Sequence, residues 1–180
     1  MDDTNKNVQN LIKSGLFLGI AIVFQLVGKN FPQVSQFLVG PGVNAVLLLT
    51  AYVCGTGYGV GAAALTPLLA LLLGQFSPML AAFIPFIMIG NAIYVLTFGI
   101  LKGKTELGKY IGPAVGSLLK YLFLYFSASK LVPLLGFGIP EKALPKLAAS
   151  MGVPQLITAL AGGTAAIIII EILRRRKIIK

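Results

Sequence analysis

The sequence predicts an all-α integral membrane protein with six transmembrane helices, and three observations carry that expectation. Of 180 residues, 57% are hydrophobic and only 11% are charged, where a soluble domain would carry about 25% charge. The mean hydropathy is +0.90. The apolar residues gather in six segments punctuated by proline, glycine and lysine, and at about 20 residues per crossing the chain has room for six short helices and little more. Residues 1–180 are therefore expected to form a single membrane domain.

The first helix is expected over about 11–31, where Pro32 stops it because proline cannot donate the next backbone hydrogen bond. Lys13 ahead of the apolar run Ser14 to Val27 is superficially like a signal peptide. Asp2 and Asp3 spoil a basic leader, however, no small-x-small cleavage site follows, and five more apolar segments come after it. A loop, Pro32 to Gly42, leads to a second helix that ends at Cys54; it starts at Val43 or earlier, with about 38–54 as the adopted bounds. Gly55, Gly57, Gly59 and Gly61 form a turn and open the third helix, about 58–74.

After an uncharged turn, Gln75 to Pro78, the fourth helix spans about 79–101 and stops at the basic run Lys102, Lys104 and Lys109. The fifth takes about 111–131, with Pro113 tolerated in its first turn. The longest connection, Val132 to Gly152, precedes the sixth helix, about 153–173, which ends before Arg174, Arg175, Arg176 and Lys177.

Six crossings place both termini on one side. That side carries ten cations (Lys6, Lys13, Lys102, Lys104, Lys109, Arg174, Arg175, Arg176, Lys177 and Lys180) and the other side four (Lys29, Lys130, Lys142 and Lys146). The excess puts both termini in the cytoplasm. The net charge of +10 thus reads as topology, with no nucleic acid as partner. One cysteine and no histidine exclude disulfide frameworks and the usual zinc, haem and Cys/His catalytic clusters. No metal site or catalytic residue is expected. No Walker A loop is present, so ATP would not be hydrolysed by this chain through that route.

Lys120 belongs to neither side. It falls roughly 15 Å into the fifth helix at 1.5 Å per residue, near the bilayer midplane. A cation there costs at least ~2.5 kcal/mol on insertion scales, so it turns toward protein or a watery cavity. One reading has it meeting an anionic group of a bound molecule; the other has its stem reaching an interface or a backbone carbonyl. Asn91 lies about midway along the fourth helix and either holds helices together or reads a ligand's polar edge. Tyr94 follows three residues on, along the same face.

On the fifth helix Gly116, Ser117, Lys120 and Ser127 share a flank, with Tyr121 and Tyr125 beside it. On the sixth, Gln155 and Thr158 lie near the outer end, Gly162 and Gly163 suit close packing, and Glu171 is expected to pair with Arg174 or Arg175. Gly15-x-x-x-Gly19 in the first helix would let another helix approach closely, within the bundle or outside it. Thr56-Gly57-Tyr58-Gly59 is superficially like a potassium-channel filter. Its predicted cytoplasmic position makes a closely packed turn the better account.

With these residues in view, the chain resembles an S component of the energy-coupling factor (ECF) transporters. The resemblance covers nearly its whole length and rests on size, helix number, topology and three segments: Phe37-Leu38-Val39-Gly40-Pro41-Gly42-Val43-Asn44-Ala45-Val46, Pro85-Phe86-Ile87-Met88-Ile89-Gly90-Asn91-Ala92 and Pro154-Gln155-Leu156-Ile157-Thr158-Ala159-Leu160. It implies the substrate-binding subunit of a bacterial importer for a vitamin or related micronutrient, in the cytoplasmic membrane. It further implies no cofactor in this chain, a transmembrane coupling subunit and two ATPase subunits as partners, and ATP hydrolysed by those partners.

The family's substrate site lies toward the outer side, among helices 4 to 6, under a lid formed by the first loop. By position the resemblance points to Lys120, Asn91, Tyr94, Tyr121, Gln155 and Thr158, with Gln33 and Gln36 in the loop. Its helix-1 docking motif, usually built of alanines, falls on Gly15 and Gly19. Two rival classes remain at this point. An intramembrane enzyme lacks histidine and a pair of membrane carboxylates here; an autonomous carrier or channel would be expected to show an inverted repeat or an acidic relay.

Overall fold

The computed structural model describes residues 3–75, 78–136 and 138–179, with backbone alone for residues 3, 32–37 and 78–80. Every regular element among them is helical. The chain runs through α1 (Asp3–Asn30), α2 (Pro32–Val53), α3 (Thr56–Leu72), α4 (Ile84–Lys104) and α5 (Gly108–Phe126). A π turn over Ser127–Leu131 continues α5 into the short α6 (Val132–Leu135); α7 (Leu144–Ser150) then leads to α8 (Val153–Arg175). Six helices are thus long: α1 to α5 and α8. Four spans, Thr4–Asn30, Ala81–Lys104, Gly108–Leu135 and Glu141–Arg175, are long and apolar enough to cross a bilayer, and Leu38–Val53 and Thr56–Leu72 are shorter apolar helices.

Several boundaries differ from expectation for identifiable reasons. The segment Pro32 to Gly42 is helix, not loop, and Phe31 alone separates α1 from α2. Pro32 stands in the first turn of α2, where its missing donor would have had no intrahelical partner. Proline therefore begins the second helix here as well as ending the first. Pro41 lies inside α2, which membrane helices tolerate when neighbours satisfy the freed backbone. Pro85 likewise falls in the first turn of α4, so the regular helix starts at Ile84, behind a 3-10 turn over Pro78–Phe83. Lys102 and Lys104 occupy the last turn of α4 because cations favour a helix C-terminus, and Lys102 Nζ donates to Ala51 O of α2 at 2.6 Å. The stretch Thr56-Gly57-Tyr58-Gly59 is the first turn of α3. Gly55 precedes it with φ +112°, backbone that glycine alone adopts readily.

Packing neighbours close a ring in the order α1, α3, α4, α5, α8, α2, with α2 leaning across onto α3 and α4. Its core holds the fully buried Leu47, Leu48, Ala51, Ala63, Tyr94, Val95, Phe98, Ala159, Ala166 and Ile170. A second cluster, Phe83, Leu124, Ala128, Val132, Leu147 and Met151, packs α7 against the end of α5. Outward faces carry large apolar side chains such as Ile12, Leu16, Leu118 and Ile168, suited to lipid.

The basic end of the bundle carries an ion-pair network. Lys109 Nζ lies 2.8 Å from Glu171 Oε1 and 3.0 Å from Glu106 Oε2, and Tyr110 donates to Glu171 at 3.0 Å. Glu171 therefore pairs with Lys109, not with Arg174 or Arg175: the turn into α5 delivers Lys109 to the end of α8, and Arg174 reaches Glu106 instead, at 3.4 Å. Hydrogen bonds from Lys109 and then Arg174 hold the exposed Glu106 carboxyl below its usual range. A depressed carboxyl adds stability above its unfolded pKa and loses it as pH falls through the folded value. Glu171→Gln should lower the unfolding temperature in detergent, with the difference shrinking in high salt and on acidification below the carboxylate range. A difference untouched by salt would point to packing instead.

Candidate functional site

The stripe Gly112, Gly116, Lys120 and Leu124 recurs every fourth residue on α5 and is buried throughout, because residues four apart share a helix face. The glycines let α4 come close: a Cβ at Gly116 would stand 3.0 Å from Tyr94 O. Lys120 is thereby carried into the ring, where it is 3% exposed.

Its Nζ donates to Asn44 Oδ1 at 2.7 Å and sits 5.6 Å from the centre of the Tyr94 ring. Asn44 Nδ2 donates to Gly40 O at 2.9 Å. A carbonyl oxygen only accepts, so that bond fixes the amide with its oxygen toward the lysine. An ammonium has three protons, and this one has a neutral amide and a ring face as neighbours. The chain has only five acidic residues, and the ion pairs among the described residues use Glu106 and Glu171 at the basic end. Lys120 has no carboxylate partner among them.

Lys120 forms part of the wall of a cavity of about 250 Å³ to which all six long helices contribute. Asn91, Gln155 and Thr158 line it too. Asn91 is 5% exposed, with no side-chain hydrogen bond among the described residues. Thr158 Oγ1 donates to Gln155 O at 3.2 Å, which turns its methyl toward Gly40, where a Cβ would meet it at 2.8 Å. The apolar wall includes Val39, Val43, Ala70 and Ile87. Gly162 and Gly163 serve packing: a Cβ at Gly162 would stand 2.5 Å from Pro41 O, and one at Gly163 would stand 2.6 Å from Pro113 Cβ.

The other expected residues lie elsewhere. Tyr94 stands behind Lys120 and off the wall, fully buried, its hydroxyl donating to Ala159 O at 2.8 Å. Tyr121 stacks on Tyr125 with ring centres 6.0 Å apart and is not on the wall. The side chains of Gln33 and Gln36 lie outside the described residues. Gly15 and Gly19 have nothing within 4 Å of where a Cβ would be, so neither serves packing within the bundle.

Sequence reasoning missed Gln25, Asn44, Thr66 and Gln75, all on the cavity wall. Gln25 is a lone amide in the apolar run of α1, and Asn44 interrupts an apolar stretch just as Asn91 does. Weighing every amide inside an apolar segment equally would have found both.

A multi-pass bundle that keeps a buried lysine and several amides around a cavity has the character of a membrane-embedded binder of small molecules. The family described as ECF transporter, substrate-specific component, matches residues 9–174, and the chain belongs to that family. It is thus a membrane-spanning, substrate-specific transporter subunit. Among curated proteins and solved structures no match was found.

Proposed function

We propose that this chain captures a vitamin or related micronutrient carrying an anionic group, as the substrate-binding subunit of an ATP-driven importer in a bacterial cytoplasmic membrane. The observation that supports this most is Lys120, a cation on the cavity wall held by an amide and by no described acid. A carboxylate or similar group on the guest would take its remaining protons and balance its charge, and charge-assisted bonds of this kind are about twice as strong as neutral ones. Asn91, Gln155 and Thr158 read the rest of the guest. Transport then requires partners, a transmembrane coupling subunit and two ATPases, since this chain has no phosphate-binding loop of its own. The ten-to-four cation excess supports both termini lying on the cytoplasmic side.

Mass spectrometry of small molecules carried through purification from rich medium tests the capture reading. An anionic, vitamin-sized compound near one equivalent is the expected result; protein carrying only lipid and detergent would overturn it. The open surface at Gly15 and Gly19 supports docking of the coupling subunit there. Gly15→Leu and Gly19→Leu should each leave guest binding unchanged while reducing recovery of the coupling subunit in co-purification. Normal recovery with both would move the docking face elsewhere.

A further inference from the structure

Two residues that line the cavity carry side-chain oxygens with no hydrogen-bond partner in the folded chain. Gln25 of α1 and Thr66 of α3 both line the cavity and are 3% and 1% exposed. Gln25 Nε2 donates to Thr66 O at 2.9 Å. Because that carbonyl can only accept, the bond fixes which end of the amide is nitrogen and leaves Oε1 as the free end. Gln25 Oε1 and Thr66 Oγ1 are both buried without a hydrogen-bond partner. Buried polar groups are nearly always satisfied, so each exception calls for an explanation. Ser127 Oγ, the third such atom among the described residues, lies away from the cavity, whereas Gln25 and Thr66 border it, where a guest can supply the partner.

Their position relative to Lys120 follows from the packing. In the ring α1, α3, α4, α5, α8, α2, the helix three places from α1 is α5, so Gln25 and Lys120 belong to opposite walls. The cavity therefore has two poles of different chemistry. One offers ammonium protons. The other offers an acceptor, Gln25 Oε1, and beside it a hydroxyl that can donate or accept. The apolar Val39, Val43 and Ile87 also line the space.

We propose that the guest is bifunctional, with an anionic group at Lys120 and, at the other end, an amide-type edge at Gln25 and Thr66. Such an edge, an N–H beside a C=O as in a lactam, ureide or carboxamide, donates to Gln25 Oε1 and accepts from the Thr66 hydroxyl. A guest with a purely apolar tail would leave both oxygens without a partner, as the chain itself does. A site built around a polar contact rejects analogues lacking it far more strongly than a hydrophobic pocket rejects a change of shape. The Gln25–Thr66 pole thus sets which anion is accepted. This inference rests on the capture reading above and adds the second pole to it.

Thr66→Val and Gln25→Met separate the two. The full-length protein and each variant, with Lys120→Met alongside, are incubated in detergent with a small-molecule filtrate of rich growth medium, washed and denatured by heat. Released compounds are then identified by mass spectrometry. The wild-type protein should release a compound with both an acidic group and an amide-type N–H, and both variants should retain at least tenfold less of it. Thr66→Val removes a hydroxyl that bonds to nothing, so its unfolding temperature without guest should equal or exceed that of the wild type.

Weaker retention without loss of stability in Thr66→Val is a signature that a packing role does not produce. The inference falls if the retained compound has no N–H donor. It falls equally if both variants retain it as the wild type does while Lys120→Met loses it, which leaves the capture reading standing. Lower retention in both variants matched by lower unfolding temperatures would assign the pair to packing and also overturn it. A wild-type protein that releases nothing sinks the capture reading, and this inference with it.

Discussion

Lys120→Ala, or the better-shaped Lys120→Met, should weaken binding of an anionic guest by about 10- to 100-fold. A hydrogen bond to a charged group contributes roughly 1.5–3 kcal/mol, and each 1.4 kcal/mol or so is a factor of ten in affinity. The same change should leave the empty protein intact. A buried cation without a counter-charge opposes folding, so its removal relieves a strain even as one hydrogen bond, to Asn44 Oδ1, is lost. Calorimetry with the identified guest and thermal unfolding in detergent read the two effects separately. Unchanged affinity would remove Lys120 from the site; a collapse of the empty protein would make it a structural residue.

Gly162→Ala should cost the bundle much of its stability at the seam between α2 and α8. Its new Cβ would stand 2.5 Å from Pro41 O and 2.6 Å from Asn44 Cβ, and the first of these is backbone that no rotamer change can clear. Overpacking of this kind costs about 1–3 kcal/mol and occasionally more. The lesion also reaches the site, because pushing α2 away from α8 displaces Asn44, the side chain that holds Lys120. Guest affinity should therefore fall together with the unfolding temperature. Gly15→Ala is the control: nothing lies within 4 Å of its Cβ, and alanine is the better helix former by about 1 kcal/mol. Equal stability of the two variants would mean the α2–α8 seam is looser than described.

The number and order of the long helices were legible because each membrane crossing writes its own apolar run, and the resemblance to the substrate-specific components rested on size, helix number, topology and three short segments, with the family match covering residues 9–174. Boundaries at prolines were harder. Pro32 and Pro85 both begin helices, and a sequence shows a proline's missing donor without showing whether a first turn surrounds it. Lys120 stood out because a cation deep in an apolar run is costly there and so is seldom incidental. Asn44 and Gln25 did not, since their roles depend on partners 76 and 41 residues away, distances that no local pattern encodes. Tyr94 was placed on the face of Asn91 by helical spacing, but spacing along one helix does not tell which of two buried neighbours reaches the cavity, and only Asn91 does. Glu171 likewise had a ready partner in its own helix and took one from another.

The lysine in the middle of the bundle is tethered by an amide where an acid would have served equally well as a tether. An acid would have cancelled its charge. With Asn44 there instead, the proposed capture leaves the charge of a protonated Lys120 for the guest to balance, in surroundings of low dielectric where charge is screened least. Under that proposal visitors are sorted by sign before their shape is tried, because the charge that draws an anion in repels a cation.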